Sequence, residues 1–211
     1  IAWYENTDGQ GTFGPQQIIS NEVDYAFSVY SEDIDGDGDM DVLSASRNDN
    51  KIAWYENTDG QGTFGVQQII SISAIGATSI NVNDVDNDGD MDVISASISD
   101  DKIAWYENLD GYGNFGSEQI LSVSADAAIW VKSADIDNDG DIDVFSASFS
   151  DDKIRLYKNL GLLGNEINGS ISFDIFSNGC NSNDDLAIDV LVSSTNGNNN
   201  FASFSQTNGN Y

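Results

Sequence analysis

The 211-residue chain carries 36 acidic and 7 basic side chains, which give it a formal net charge of −29. This charge argues against nucleic acid as a partner, because its phosphates would be repelled by so acidic a protein. The chain has no histidine and one cysteine, Cys180, so it lacks the commonest general base, a disulfide framework and a cysteine-based zinc site.

The apolar segments of the chain are short, and none approaches the ~18 residues of a membrane span. We therefore expect no membrane insertion. The sequence opens at Ile1 in the middle of a repeated segment and shows no signal peptide. We expect it to be an internal piece of a longer protein.

The first segment of the chain, Ile-Ala-Trp-Tyr-Glu-Asn, recurs with a period of 51 residues. Its copies, the last of them changed to Ile-Arg-Leu-Tyr-Lys-Asn, occupy 1–6, 52–57, 103–108 and 154–159. An aspartate-rich nonapeptide keeps the same period and occupies 33–41, 84–92 and 135–143. Self-similarity of this kind predicts a solenoid or a propeller.

Within one repeat, short segments rich in β-branched and aromatic residues alternate with turn residues, and this pattern predicts strands. The strands predicted in the middle copy are 77–85, 92–97, 102–108 and 115–121. Four short antiparallel strands per repeat are typical of a propeller blade. We predict complete blades at about 25–71 and 77–122, the last strands of an earlier blade at 1–20, and a final blade from about 128.

Five motifs together resemble FG-GAP/VCBS-type repeats over residues 1–160. They are the Asp-x-Asp-x-Asp-Gly-Asp-x-Asp loop, the Ala/Ser-rich strand before it, the Val-Ile-Ser-Ala-Ser strand after it, the Trp-Tyr-Glu-Asn strand and the Gly-x-Phe-Gly turn. The resemblance implies an all-β fold, namely a fragment of a β-propeller related to the integrin α-subunit head. It also implies a calcium loop between the first and second strands of each blade.

Each acidic loop has aspartate at positions 1, 3, 5, 7 and 9, and Ca²⁺ takes six to eight oxygen ligands from flexible loops of this kind. We expect side-chain oxygens from positions 1, 3, 5 and 9 and the backbone carbonyl from position 7. The predicted ligands of the three Ca²⁺ sites are Asp33, Asp35, Asp37, Asp39, Asp41, Asp84, Asp86, Asp88, Asp90, Asp92, Asp135, Asp137, Asp139, Asp141 and Asp143.

Two other metal-loop interpretations fit less well. An EF-hand needs glutamate at position 12 and flanking helices, whereas position 12 here is Ser44, Ser95 or Ser146 in a strand-like run. Mg²⁺ is less suited than Ca²⁺ to a cage made only of protein carboxylates. A solvated acidic turn without metal is the remaining alternative. We expect the metal to stabilise the fold rather than to take part in chemistry.

The paired aromatic residues Trp3/Tyr4, Trp54/Tyr55 and Trp105/Tyr106 lie on the third strand of their blades. Neighbouring residues on a strand point to opposite faces, so Trp should face one adjacent blade and Tyr the other. Core packing is the expected role, and a sugar-stacking platform is the alternative. Trp130 and the turn residue Tyr112 lie outside this pattern.

The pattern changes near Gly164, and residues 164–211 resemble the start of a prealbumin-like (Cna-B type) β-sandwich domain. Strands are predicted at 169–176 and 186–193. Asp174, Asn178 and Asp185 form a candidate fourth Ca²⁺ site, in which Phe176 stands where an oxygen ligand is expected.

The sequence shows no catalytic constellation, so we expect a protein that is not an enzyme. The resemblance implies a calcium-binding extracellular or cell-surface adhesion module of secreted bacterial type, with a glycan or an extracellular protein as its ligand. Two alternatives stay open: an accessory propeller of a secreted polysaccharide-degrading enzyme, and a structural spacer in a large surface protein.

Overall fold

A computed structural model describes residues 1–161 and the backbone of 188–192 and 200–204. All regular elements in this part of the chain are β-strands, which confirms the predicted fold class. The strands are β1 (Ala2–Trp3), β2 (Gln17–Ile18), β3 (Ala26–Glu32), β4 (Asp41–Ser46), β5 (Lys51–Tyr55), β6 (Gln68–Ser71), β7 (Ala77–Asn83), β8 (Asp92–Ser97), β9 (Lys102–Tyr106), β10 (Gln119–Ser122), β11 (Ala128–Ala134), β12 (Asp143–Ser148), β13 (Lys153–Asn159), β14 (Ile188–Val192) and β15 (Asn200–Phe204). Among the described residues, no helix is long and apolar enough to cross a membrane.

The strands form four separate sheets that follow the sequence repeat. β1 pairs with β2, and two four-stranded antiparallel sheets follow in the orders β3-β4-β5-β6 and β7-β8-β9-β10. We call these two sheets blade 1 and blade 2. The sheet that starts β11-β12-β13 is blade 3. The chain therefore forms an open fragment of a propeller, with each acidic loop joining the first and second strands of a blade.

Two strands of blade 2 end before their predicted limits, and a single buried carboxylate bonds to a backbone amide beyond the end of each. We predicted strands to Val85 and Asn108, but β7 ends at Asn83 and β9 at Tyr106. The backbone N–H of Val85 and that of Asn108 both donate to the Asp92 carboxylate, at 3.0 and 2.8 Å. Asn159 makes the same bond to Asp143 and is still the last residue of β13, where β14 pairs with it, so this bond alone does not end a strand.

Two apolar clusters lie between adjacent blades. The first contains Leu43 and Trp54 of blade 1 together with Ile80 and Tyr106 of blade 2. The second contains Trp105 with residues of blade 3, including Tyr157. The third-strand Trp therefore faces the following blade and the Tyr the preceding blade, as predicted. Burial of such side chains contributes roughly 1.5–3 kcal/mol each, so these clusters hold neighbouring blades together.

Blade 3 departs from the repeat at its outer edge. β14 pairs with β13 in parallel, and β15 pairs antiparallel with β14, whereas the fourth strand of blades 1 and 2 is antiparallel to the third. β14 falls within the strand predicted at 186–193. The strand predicted at 169–176, the candidate site at Asp174, Asn178 and Asp185, and Cys180 lie outside the described residues. The prealbumin-like domain stays a prediction.

Candidate metal centres

Each acidic loop brings three of its carboxylates together, with one oxygen of each within 4.8 Å of the others. Loops 1, 2 and 3 are residues 33–41, 84–92 and 135–143. The grouped residues are Asp33, Asp35 and Asp37 in loop 1, Asp84, Asp86 and Asp92 in loop 2, and Asp135, Asp137 and Asp139 in loop 3. Three like charges this close repel one another, and a hard cation relieves that repulsion.

The first aspartate of each loop fixes the loop's shape through backbone amides. In loop 1, Gly36 N–H and Gly38 N–H donate to the two Asp33 oxygens at 2.9 and 3.0 Å. Asp84 and Asp135 also accept the amide of position 6, but their second bond comes from position 5, whereas that of Asp33 comes from position 4. The glycine at position 6 has a φ between +94° and +99°, a backbone conformation that glycine adopts more easily than other residues. The turn therefore needs both residue types.

The last aspartate of each loop has a second role that the sequence did not indicate. Asp41, Asp92 and Asp143 are almost completely buried, at no more than 1% exposure. Each accepts one bond from the amide of loop position 2 and one from the amide of the asparagine at or just beyond the end of the third strand. These carboxylates join the loop to the third strand, and only that of Asp92 belongs to a grouped set.

Burial raises the pKa of several loop carboxylates. It raises the pKa of Asp92 to about 8 and that of Asp41 to about 6. The hydrogen bonds from backbone amides lower both pKa values, but burial has the larger effect. Burial also raises the pKa of Asp86 to about 6, and the nearby charges of Asp88 and Glu107 add to the effect. Ionised carboxylates are costly at these positions unless a cation compensates them.

The aspartate at position 7 packs its side chain against a glycine beyond the third strand. A Cβ added at Gly60, Gly111 or Gly161 would overlap the carboxylate of Asp39, Asp90 or Asp141, respectively. These side chains thus pack against the turn after the third strand and lie outside the grouped sets. Their predicted role as carbonyl ligands stays a prediction. The grouped donors are all carboxylate oxygens, a set that fits Ca²⁺.

The asparagine at the end of the Trp-Tyr-Glu-Asn motif links each loop to its neighbours. Asn108 Nδ2 donates to Met91 O at 3.4 Å in its own loop and to Ile34 O at 2.9 Å in the loop of the preceding blade. Asn159 Nδ2 donates to Val85 O at 2.9 Å in the same way. Sequence analysis missed this role, although the recurrence of the asparagine every 51 residues was its signal.

The paired aromatics are mostly buried and leave little face for a sugar. Trp54, Tyr55, Trp105 and Tyr106 are each at most 8% exposed. This agrees with the expected core role in blades 1 and 2. Tyr112, at 75%, and Trp130, at 55%, are exposed, as is Tyr4 at 52%. Of these, Tyr112 lies on a turn, Trp130 on β11 and Tyr4 directly after β1.

The sequence profile of the FG-GAP-like repeat family matches this chain three times, at residues 1–44, 33–95 and 84–146. No curated protein matches the chain. Among solved structures, the crystal structure of the Vibrio cholerae biofilm matrix protein Bap1 is similar, with 24% identity and a TM-score of 0.38. The match covers 74% of this chain and 27% of that protein, so the chain spans about a quarter of its length.

Proposed function

Because the chain belongs to the FG-GAP-like repeat family, we propose that it is a calcium-stabilised, non-catalytic binding or adhesion module of an extracellular or cell-surface protein. The observation that carries this proposal is the threefold recurrence of grouped carboxylates at the same place in successive blades. Calcium would supply positive charge to loops whose carboxylates otherwise repel one another.

The proposed extracellular location agrees with the proposed need for calcium. Loops that depend on Ca²⁺ suit a compartment where the ion is plentiful, and extracellular calcium modules work at dissociation constants of about 10⁻⁴–10⁻³ M. The formal net charge of −29 is also better tolerated where salt and divalent cations screen it.

The proposed role of the loops is architectural. The loop carboxylates Asp41 and Asp92 accept bonds from backbone amides just beyond the third strand, and Asn108 bonds to loop 1 from the following blade. A loop that is ordered by an ion would thus fix the position of the next blade. The ligand surface is then provided by exposed turns, of which the one around Tyr112 is the best candidate for a glycan or a protein.

A glycan array and a panel of purified extracellular matrix proteins test the binding role. The full chain is applied in millimolar Ca²⁺ and again after chelation, with Tyr112→Ala as a variant that leaves the loops intact. We expect the chain to bind at least one ligand in Ca²⁺ and to lose this binding after chelation. Complete absence of binding in both conditions would contradict the proposal and favour a structural spacer.

A further inference from the structure

The residue before the asparagine that recurs every 51 residues differs between blades. It is Glu56 in blade 1, Glu107 in blade 2 and Lys158 in blade 3, each 51 residues after the last. This is a reversal of charge at one position of an otherwise regular repeat.

Lys158 lies directly against loop 3. Its Nζ forms an ion pair with the Asp137 carboxylate and another with that of Asp139 at 3.3 Å. These are two of the three grouped carboxylates of this loop. The Lys158 side chain is only 13% exposed, so solvent competes weakly for the ammonium. In loop 2, by contrast, Glu107 adds a negative charge close to Asp86.

The two loops therefore present opposite surroundings to a cation. In loop 2 the neighbouring side chain strengthens attraction, since it is a further carboxylate. In loop 3 the neighbouring side chain is itself a cation, and it already neutralises part of the charge on Asp137 and Asp139. A second cation that comes to these carboxylates must compete with Lys158 and is repelled by it.

We propose that Lys158 is a built-in counter-ion of loop 3, which makes this loop the weakest of the three calcium sites and keeps it ordered when calcium is removed. The inference rests on the proposed calcium role of the loops. It assigns different tasks to equivalent loops: loops 1 and 2 respond to calcium, and loop 3 holds its shape largely without it.

Hydrogen–deuterium exchange of the full chain, titrated with Ca²⁺ and followed on peptides spanning each loop, tests this directly. We expect the calcium midpoint for loop 3 to lie about tenfold above that for loop 2. Lys158→Glu, which restores the residue type of the other blades, should bring the two midpoints together. Lys158→Gln should move the loop 3 midpoint part of the way. In the calcium-free chain, both substitutions should speed exchange in loop 3.

The matched control is Lys153→Glu, which makes the same charge change at the other end of β13, where Lys153 pairs with Asp151. It should leave the loop 3 midpoint unchanged. Should Lys158→Glu fail to fold by circular dichroism, Lys158→Gln decides the question.

Equal midpoints for all three loops in the unmodified chain, or equal shifts from Lys153→Glu and Lys158→Glu, would overturn the inference and leave the proposed function intact. A chain in which exchange at no loop responds to calcium would overturn both.

Discussion

The indole of Trp54 in blade 1 lies against the backbone of Gly113 in blade 2, so closely that a Cβ added at Gly113 would overlap the ring. Trp3 has the same relationship to Gly62 in blade 1. The tryptophan of one repeat thus packs against the Gly-x-Phe-Gly turn of the following repeat.

Substitution of Gly113 by alanine should destabilise the chain through this contact. The new methyl group would displace the Trp54 ring, and φ at Gly113 is +79°, which is unfavourable for alanine. We expect a loss of about 1–3 kcal/mol in the free energy of unfolding, measured by urea denaturation in calcium. Gly11→Ala is the matched control, because Gly11 has the same motif position and φ +98° but no atom within 4 Å of the added Cβ. Equal losses in the two variants would show that backbone strain alone is responsible.

The asparagine bridge between blades can be measured by a similar comparison. Asn57 and Asn108 make equivalent bonds within their own blades. Asn57 donates to Met40 O and accepts from Gly62 N–H. Asn108 donates to Met91 O and accepts from Gly113 N–H. Only Asn108 also reaches Ile34 O of the preceding loop. We expect Asn108→Ala to cost about 0.5–1.5 kcal/mol more than Asn57→Ala in urea denaturation. A smaller cost for Asn108→Ala would contradict a stabilising role for the bridge.

Removal of calcium should lower the melting temperature. At ten times its dissociation constant, an ion that binds only the native state stabilises it by about 1.4 kcal/mol. With calcium at ten times the dissociation constant of the weakest loop or more, the three ions together correspond to a shift of about 10 °C for a chain of this size. Differential scanning calorimetry with EDTA, and again after calcium is restored in excess, checks this. A melting temperature indifferent to EDTA would contradict calcium stabilisation.

The pH dependence should differ between the calcium-free and calcium-loaded states. Burial raises the pKa of Asp92 to about 8 and that of Asp41 to about 6. The native state therefore binds more protons than the unfolded state, and calcium-free stability should fall as pH rises from about 4 to about 8. Calcium competes with these protons, so the rise in melting temperature that calcium produces should be larger at pH 8 than at pH 5. Melting temperatures of dialysed protein, with and without calcium at both pH values, check the direction of this difference.

The repeat itself was sufficient to predict much of the fold. The second strand of blade 2 was predicted at 92–97 and is observed as β8 (Asp92–Ser97), since an apolar run directly follows the last loop aspartate. The fourth strand was predicted to start at Phe115 but begins at Gln119. Phe115 makes an isolated bridge with Asn108 across the turn and is not part of the ladder that β10 forms with β9.

The acidic loops of the candidate site could be predicted from the sequence, but their long-range contacts could not. Spacing alone identifies the loops, because their aspartates are close in sequence. The second role of Asp92 and the bridge from Asn108 to Ile34 depend on partners 16 and 74 residues away. Such contacts are created by the packing of strands and blades, and no local pattern specifies which amide or carbonyl will be reached.

The contacts between blades have a direction. The tryptophan reaches forward to the next turn, as Trp54 does to Gly113, and the asparagine reaches back to the previous loop, as Asn108 does to Ile34. Each blade therefore carries both the residues that contact the following blade and the residues that contact the preceding blade. A blade copied in tandem fits its neighbours on both sides. An array of this kind can lengthen by gene duplication without a new interface having to evolve at the same time.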